Sequence, residues 1–231
     1  MSVLMVSGTG TEIGKTVVTA AVAAVAVAAG RSVAVLKPAQ TGVAPGEPGD
    51  VFEVRRLAGE AVTGLELARF PEPLAPDTAA RRAGLAPVRP EQIAEAAEKL
   101  ATEHDLVLVE GAGGLLVRFD DEGATLADAA RLLGAPVLVV VPAGLGTLNS
   151  TALTSEALRA RRLECLGVVV GSMPAEPDLA ARCNLVDLPV AAGAPLLGTV
   201  PAGAGTLTPA EFRARAASWL TPELGGNRTA D

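Results

Sequence analysis

The stretch Val3-Leu4-Met5-Val6-Ser7-Gly8-Thr9-Gly10-Thr11-Glu12-Ile13-Gly14-Lys15-Thr16 joins an apolar run to a glycine-rich turn, and leads into the alanine- and valine-rich segment Val17 to Ala29. Four apolar residues, a flexible turn and an apolar segment of helical length predict a buried strand, a loop and a helix. A helix opened by Gly14-Lys15-Thr16 turns successive backbone N–H groups toward its N-terminus, where they favour a phosphate. Lys15 adds a cation near the terminal phosphates, and the Thr16 hydroxyl suits Mg²⁺. The usual G-x-x-x-x-G-K-[ST] spacing wants glycine at position 9. Thr9 stands there instead, flanked by Gly8 and Gly10. An ordinary glycine turn before a helix is the alternative; the conjunction of strand, loop, Gly-Lys-Thr and helix favours a phosphate cradle.

Working outward, further apolar runs at Val33–Leu36, Leu106–Val109, Val137–Val141, Leu166–Val170 and Leu196–Val200 read as buried strands. Alanine-rich stretches of helical length, Pro90–Thr102, Asn149–Arg162 and Pro209–Leu220, separate most of them. Strands alternating with helices imply an α/β, doubly wound, mostly parallel sheet with helices on both faces, of the P-loop NTPase kind. Pro- and Gly-rich stretches at 44–49 and 71–76 read as loops of the same unit. One domain is expected over 1–225, with a frayed tail over 226–231.

Composition narrows the function. The 231 residues suit one α/β domain, and with only 2% aromatic residues the core must be built from Ala, Val and Leu. A formal net charge of −7 argues against a nucleic-acid partner, which needs a basic surface. It leaves room for a small anion held by local cations and backbone amides. Cys165 and Cys183 have neither CxxC nor metal spacing and suggest a reduced, cytoplasmic chain. The chain runs at once into its first apolar run, so no leader is expected, and Val17 to Ala29 is too short to span a bilayer. A soluble protein without membrane attachment is expected.

Ligands of such sheets sit at the carboxyl ends of the strands, so the residues after each run carry the chemistry. Glu110, directly after Leu106–Val109, stands where an acidic residue completes a Mg²⁺ site, and Gly111-Ala112-Gly113-Gly114 lets phosphate approach. Asp50 is either a second carboxylate or a helix N-cap. Lys37 reads as an exposed strand-end lysine, or as a cation that neutralises a transferring phosphoryl group. The segment Leu145-Gly146-Thr147-Leu148-Asn149 precedes a helix whose N-terminus suits a carboxylate, or is a simple cap. His104, the one histidine, has no matching partner and is assigned no role.

Together, Gly8–Thr16, Lys37-Pro38-Ala39-Gln40-Thr41-Gly42, Val109–Gly114 and Leu145–Asn149 resemble the dethiobiotin synthetase family, from residue 1 to about 215. The Thr-x-Thr form of the glycine loop is typical of that family. The resemblance implies a Mg²⁺- and ATP-dependent (or other nucleoside triphosphate-dependent) reaction of CO₂ with 7,8-diaminononanoate. One amine becomes a carbamate, the carbamate is phosphorylated, and the second amine closes a cyclic urea. It further implies Thr16, Asp50 and Glu110 as metal ligands, Glu12, Ile13, Gly14, Lys15, Thr16 and Val17 around the phosphates, and Lys37 with Lys15 as catalytic residues. Gly111, Ala112 and Gly113 belong to the nucleotide site, and Thr41 to the substrate site. By the same resemblance, Gly146, Thr147, Leu148 and Asn149 would form the carboxylate end of the substrate site across a homodimer interface. The base falls at Gly171, Ser172, Pro201, Ala202 and Gly203. Many relatives carry Asn where this chain has Gly171, which leaves base reading to main-chain groups.

Two other readings fare less well. An amide-forming ligase of cobalamin synthesis adds a glutaminase domain with a Cys/His pair, for which this chain has no room. A partition or cell-division switch ATPase expects a second lysine early in the glycine loop and a basic or amphipathic surface. Positions 8–13 contain no lysine, and the balance is acidic.

Overall fold

Every apolar run identified above forms a strand, and all pair in parallel. The computed structural model describes residues 2–229. The strands are β1 (Val3–Gly8), β2 (Val33–Thr41), β3 (Thr63–Phe70), β4 (Leu106–Glu110), β5 (Val137–Val141), β6 (Cys165–Met173) and β7 (Leu196–Pro201). They make one 7-stranded sheet in the order β3-β2-β4-β1-β5-β6-β7. The strand carrying the glycine loop is therefore central, between β4 and β5, where the chain switches the direction in which it adds strands. That switch opens a crevice at the carboxyl edge.

Alternation along each strand feeds two cores. Met5, Val107, Val109, Val137 and Val139 point to one, beneath α3 (Pro76–Ala83), α4 (Pro90–Ala101), α5 (Leu126–Leu133), α6 (Thr147–Ala160) and α7 (Leu179–Ala192). Leu4, Val6, Leu106, Leu108, Leu138 and Val140 point to the other, beneath α1 (Lys15–Ala28), α2 (Asp50–Ala58) and α8 (Pro209–Trp219). Central strands covered on both faces need no polar alternation, which is why they read as continuous apolar runs. Helix α1 is almost all Ala and Val, and small side chains let it lie close on the sheet. The scarce aromatics are divided between the cores: Phe70 and Phe119 are buried in the first, and in the second Phe212 and Trp219 meet edge to face with centroids 5.1 Å apart.

The structure extends and corrects the sequence reading in places. β3 has no apolar run, because it is an edge strand (Thr-Gly-Leu-Glu-Leu-Ala-Arg-Phe) paired only to β2. α2, α3, α5 and α7 are additional helices. In the segment expected to fray, the amides of residues 226–228 donate to the carbonyls of Thr221, Ala217 and Leu220; residues 230 and 231 lie outside the described residues. No helix among the described residues is long and apolar enough to cross a membrane.

Candidate active site

Register alone brings the first charged pair together. β2 pairs with β4 up to Leu36↔Val109, so the next residue of each strand, Lys37 and Glu110, emerges side by side. β2 then continues alongside β3 as far as Thr41↔Phe70. Lys37 is thus inside a strand and 4% exposed, not at the exposed strand end that the sequence suggested. Its ammonium lies 3.0 Å from Glu110 Oε1 and 2.5 Å from Asp50 Oδ2, and donates to the Gly111 carbonyl at 3.0 Å. All three N–H bonds of the lysine are therefore used.

Glu110 is the most buried acid of the group, at 1% exposure. The hydroxyl of Thr16 donates to its Oε1 at 2.9 Å, and that of Thr19 to its Oε2 at 2.7 Å. Thr16 and Thr19 are three apart on α1 and so share a face, a spacing that could have revealed Thr19 in the sequence. Asp50 is the first residue of α2, and its N–H donates to the Gln40 side-chain carbonyl at 2.8 Å. Gln40, buried on β2, thereby fixes where that carboxylate starts. Nothing in the sequence marked it beyond its place in the Lys37–Gly42 motif.

The two lysines respond to this setting in opposite senses. Burial pushes Lys37 down, but Glu110 and then Asp50, by charge and hydrogen bond together, outweigh it and hold its pKa above the ordinary value. For Lys15, burial comes first and repulsion from Lys37 second; Glu110 and Asp50 offset them only in part, and the pKa falls below the ordinary value. Lys15 Nζ folds back to the Gly10 carbonyl at 2.6 Å, inside the arch of the glycine loop.

A cleft of about 820 Å³ opens above these groups. Glu12, Gly14, Lys15, Thr16, Val17, Lys37, Thr41, Asp50, Glu110, Ala112 and Gly113 all line it. Ile13 and Gly111 are not among its lining residues. Pro73, Leu74, Ala75 and Val117 supply apolar lining, with Pro73 against Gly42 next to Thr41 and Val117 beside Gly113. Two carboxylates and a threonine hydroxyl converge at one point of the cleft. Among the described residues, no group of three or more His, Cys, Asp or Glu forms a self-sufficient metal cage. The set instead fits a hard cation that takes its remaining oxygens from phosphate and water.

Other expected positions lie apart from the cleft. Gly146 caps the N-terminus of α6 with φ 90°, Thr147 is buried, and Asn149 is exposed on the first turn. The loop before them is gripped by Asn184 of α7, whose amide donates to the carbonyls of Ala143 and Gly144 at 2.8 and 3.0 Å. Ser172, Pro201, Ala202 and Gly203 are exposed at the ends of β6 and β7, and the Ala202 N–H donates to Met173 at 2.7 Å. Gly171 is buried beneath the glycine loop. An added Cβ there would lie 2.1 Å from the Ile13 carbonyl oxygen, and one on Gly14 (φ 92°) would lie 2.3 Å from the Gly171 carbonyl oxygen. Only two glycines can meet this closely. His104 bridges the Leu100 carbonyl and the Thr63 hydroxyl, joining the end of α4 to the start of β3.

The parallel sheet, the loop at its switch point and the buried Lys-Thr-Glu arrangement define a P-loop nucleotide-binding protein. The known structures it resembles agree on the fold. The MinD cell division protein of Aquifex aeolicus shares 13% identity at a TM-score of 0.58, covering 94% of this chain and 87% of that one. A ParA family ATPase from Chlorobium tepidum shares 12% at 0.58, covering 92% and 90%. An AAA domain family profile matches residues 2–209. Relatives in sequence are far nearer. The ATP-dependent dethiobiotin synthetase of Streptomyces avermitilis is 73% identical over 100% of this chain and 97% of its own length. Its counterpart in Streptomyces coelicolor is 71% identical over the same shares, and that of Rhodococcus jostii is 61% identical over 95% of each chain. The chain belongs to the dethiobiotin synthetase family.

Proposed function

We propose that this family member acts as a ligase of biotin synthesis, in the cytoplasm, converting 7,8-diaminononanoate, CO₂ and a nucleoside triphosphate into dethiobiotin, nucleoside diphosphate and phosphate. The observation that carries this reading is the buried Lys37, held charged between Glu110 and Asp50 beside Lys15 and the glycine loop. A carbamate and a triphosphate repel each other, and a site that joins them needs concentrated positive charge. Lys15, Lys37 and the loop amides of Glu12 to Val17 supply it from the protein. Thr16, Asp50 and Glu110 would hold Mg²⁺, which when bound adds positive charge on the phosphate oxygens.

In the proposed reaction one amine adds to CO₂, and the resulting carbamate oxygen attacks the terminal phosphorus and expels the diphosphate. The second amine then attacks the carbamoyl carbon and phosphate leaves, closing the ring. An amine held against an acyl phosphate is a strong enough nucleophile that positioning suffices. This agrees with the structural employment of His104, which offers no general base to the cleft. The apolar lining of Pro73, Leu74 and Val117 suits the aliphatic chain of the substrate, with Thr41 in the same cleft.

The carboxylate end of the substrate would rest on the N-terminus of α6, at Gly146, Thr147, Leu148 and Asn149, supplied by the second chain of a homodimer. Two features support that reading: these residues do not line their own chain's cleft, and they border exposed apolar side chains. Leu145 is 90% exposed and Val190 84%, with Leu153, Leu179 and Val186 also exposed on α6 and α7. Exposed apolar side chains of this kind favour an interaction surface there. The base would lie against Gly171, Ser172 and Pro201 to Gly203. Incubation with Mg²⁺, ATP, bicarbonate and the diamino acid, followed by mass spectrometry, tests the whole: the cyclic urea is expected. Triphosphate hydrolysis that answers instead to DNA or lipid, with no urea formed, would overturn the reading.

A further inference from the structure

The guanidinium of Arg56 leaves its own helix and reaches across to the loop that follows β7. Its Nη2 donates to the Gly205 carbonyl at 2.6 Å and its Nη1 to the Leu207 carbonyl at 3.4 Å, while Nε meets Glu53 at 2.8 Å. Gly205 lies within, and Leu207 directly follows, a short 3₁₀ turn, Ala204–Thr206, that opens directly from Gly203. The turn closes on itself, with the amide and hydroxyl of Thr206 both donating to the Gly203 carbonyl. Its other side rests on α1, where a Cβ on Gly205 would stand 3.2 Å from Val17 Cγ2. The loop therefore has two supports: a van der Waals contact with the helix that begins at the glycine loop, and a forked, charged hydrogen bond from α2.

We propose that Arg56 is a positioning residue for nucleotide binding: it holds the wall formed by Pro201, Ala202 and Gly203 at a fixed place relative to the phosphate cradle. The inference rests on the reading that this wall takes the base. An i,i+3 pair such as Glu53–Arg56 at the surface contributes little by itself. Two carbonyls from a segment about 150 residues away are a different matter, because charge-assisted bonds from a planar fork fix a backbone in position. The same helix starts at Asp50, so α2 links the carboxylate that meets Lys37 to the loop that would meet the base.

Calorimetric binding of Mg²⁺–ATP and of Mg²⁺–tripolyphosphate, which lacks a base, separates the possibilities. In Arg56→Ala, affinity for ATP should fall about tenfold, as for loss of a charged hydrogen bond, with tripolyphosphate unchanged. Arg56→Lys, which keeps the charge but not the fork, should recover part of the loss. Glu53→Gln should match the wild type. Arg56→Ala binding ATP as the wild type does, or ATP and tripolyphosphate affinities falling together, would overturn the proposal. If Arg56→Ala does not fold, the same comparison in Arg56→Lys decides it. A wild type that binds tripolyphosphate as tightly as ATP would overturn the base-wall reading underneath, and this inference with it.

Discussion

Replacing Lys37 by alanine removes the cation from between two carboxylates, and the structure shows on which of them the cost falls. Asp50 has a side chain 33% exposed and can rehydrate, whereas Glu110 is 1% exposed and cannot. A buried charge stripped of its partner costs about 3–5 kcal/mol. Thr16 and Thr19 still donate to Glu110, which places the expected loss near ~3 kcal/mol. For a chain of this size each kcal/mol shifts Tm by roughly 2–4 °C, so a drop of roughly 6–12 °C is expected. Lys37→Ala should also lose on the order of 10²-fold or more in kcat, as for loss of a group that meets developing charge. The assay is a double-mutant cycle, with thermal unfolding and product formation measured on Lys37→Ala, Glu110→Gln and the double variant. Removing the carboxylate charge should restore most of the lost stability of Lys37→Ala and none of its activity. Additive stability losses, or wild-type turnover in a folded Lys37→Ala, would refute the argument.

Glu110→Gln alone should raise the Mg²⁺ concentration needed for half-maximal activity, because a neutral amide is a poorer ligand for a hard cation; an unchanged titration would move that role to Asp50. Asn149→Ala should raise KM for the diamino acid and leave the nucleotide KM nearly unchanged, and a fully active monomer at nanomolar concentration would remove the shared site. With no side chain at Gly171, the four common nucleoside triphosphates should support the reaction with modest differences in kcat/KM. A preference for ATP above roughly a hundredfold, as large as one strong bidentate contact of about 1–3 kcal/mol supplies, would show that main-chain groups read adenine.

The sequence revealed strands that are buried on both faces, because burial writes itself as an unbroken apolar run. It concealed β3, an edge strand in which Glu66 and Arg69 interrupt any apolar run and pair with each other. Helices α5 and α3 are short, and α7 carries Pro189 within it, so none shows a long periodic face. At the site, glycines, a lysine and a threonine in tight order announced the phosphate cradle. The depth of Lys37 was not legible, because it follows from β2 outrunning β4, a fact of sheet register. Gln40, Thr19 and Arg56 act through partners 10, 91 and about 150 residues away, and no local pattern records such distances.

Gly14 and Gly171 lie 157 positions apart in the chain, yet their backbones touch, and this joins two choices that a sequence treats as independent. Residue 171 cannot gain a methylene without lifting the Ile13 carbonyl, and with it the loop proposed to meet phosphate. A descendant of this chain that acquired a base-reading side chain there would have to reseat its triphosphate at the same time. On the proposed assignment of the base and phosphate sites, selectivity for the one and grip on the other are open to selection only as a pair, and a side chain at either glycine is closed off by the other.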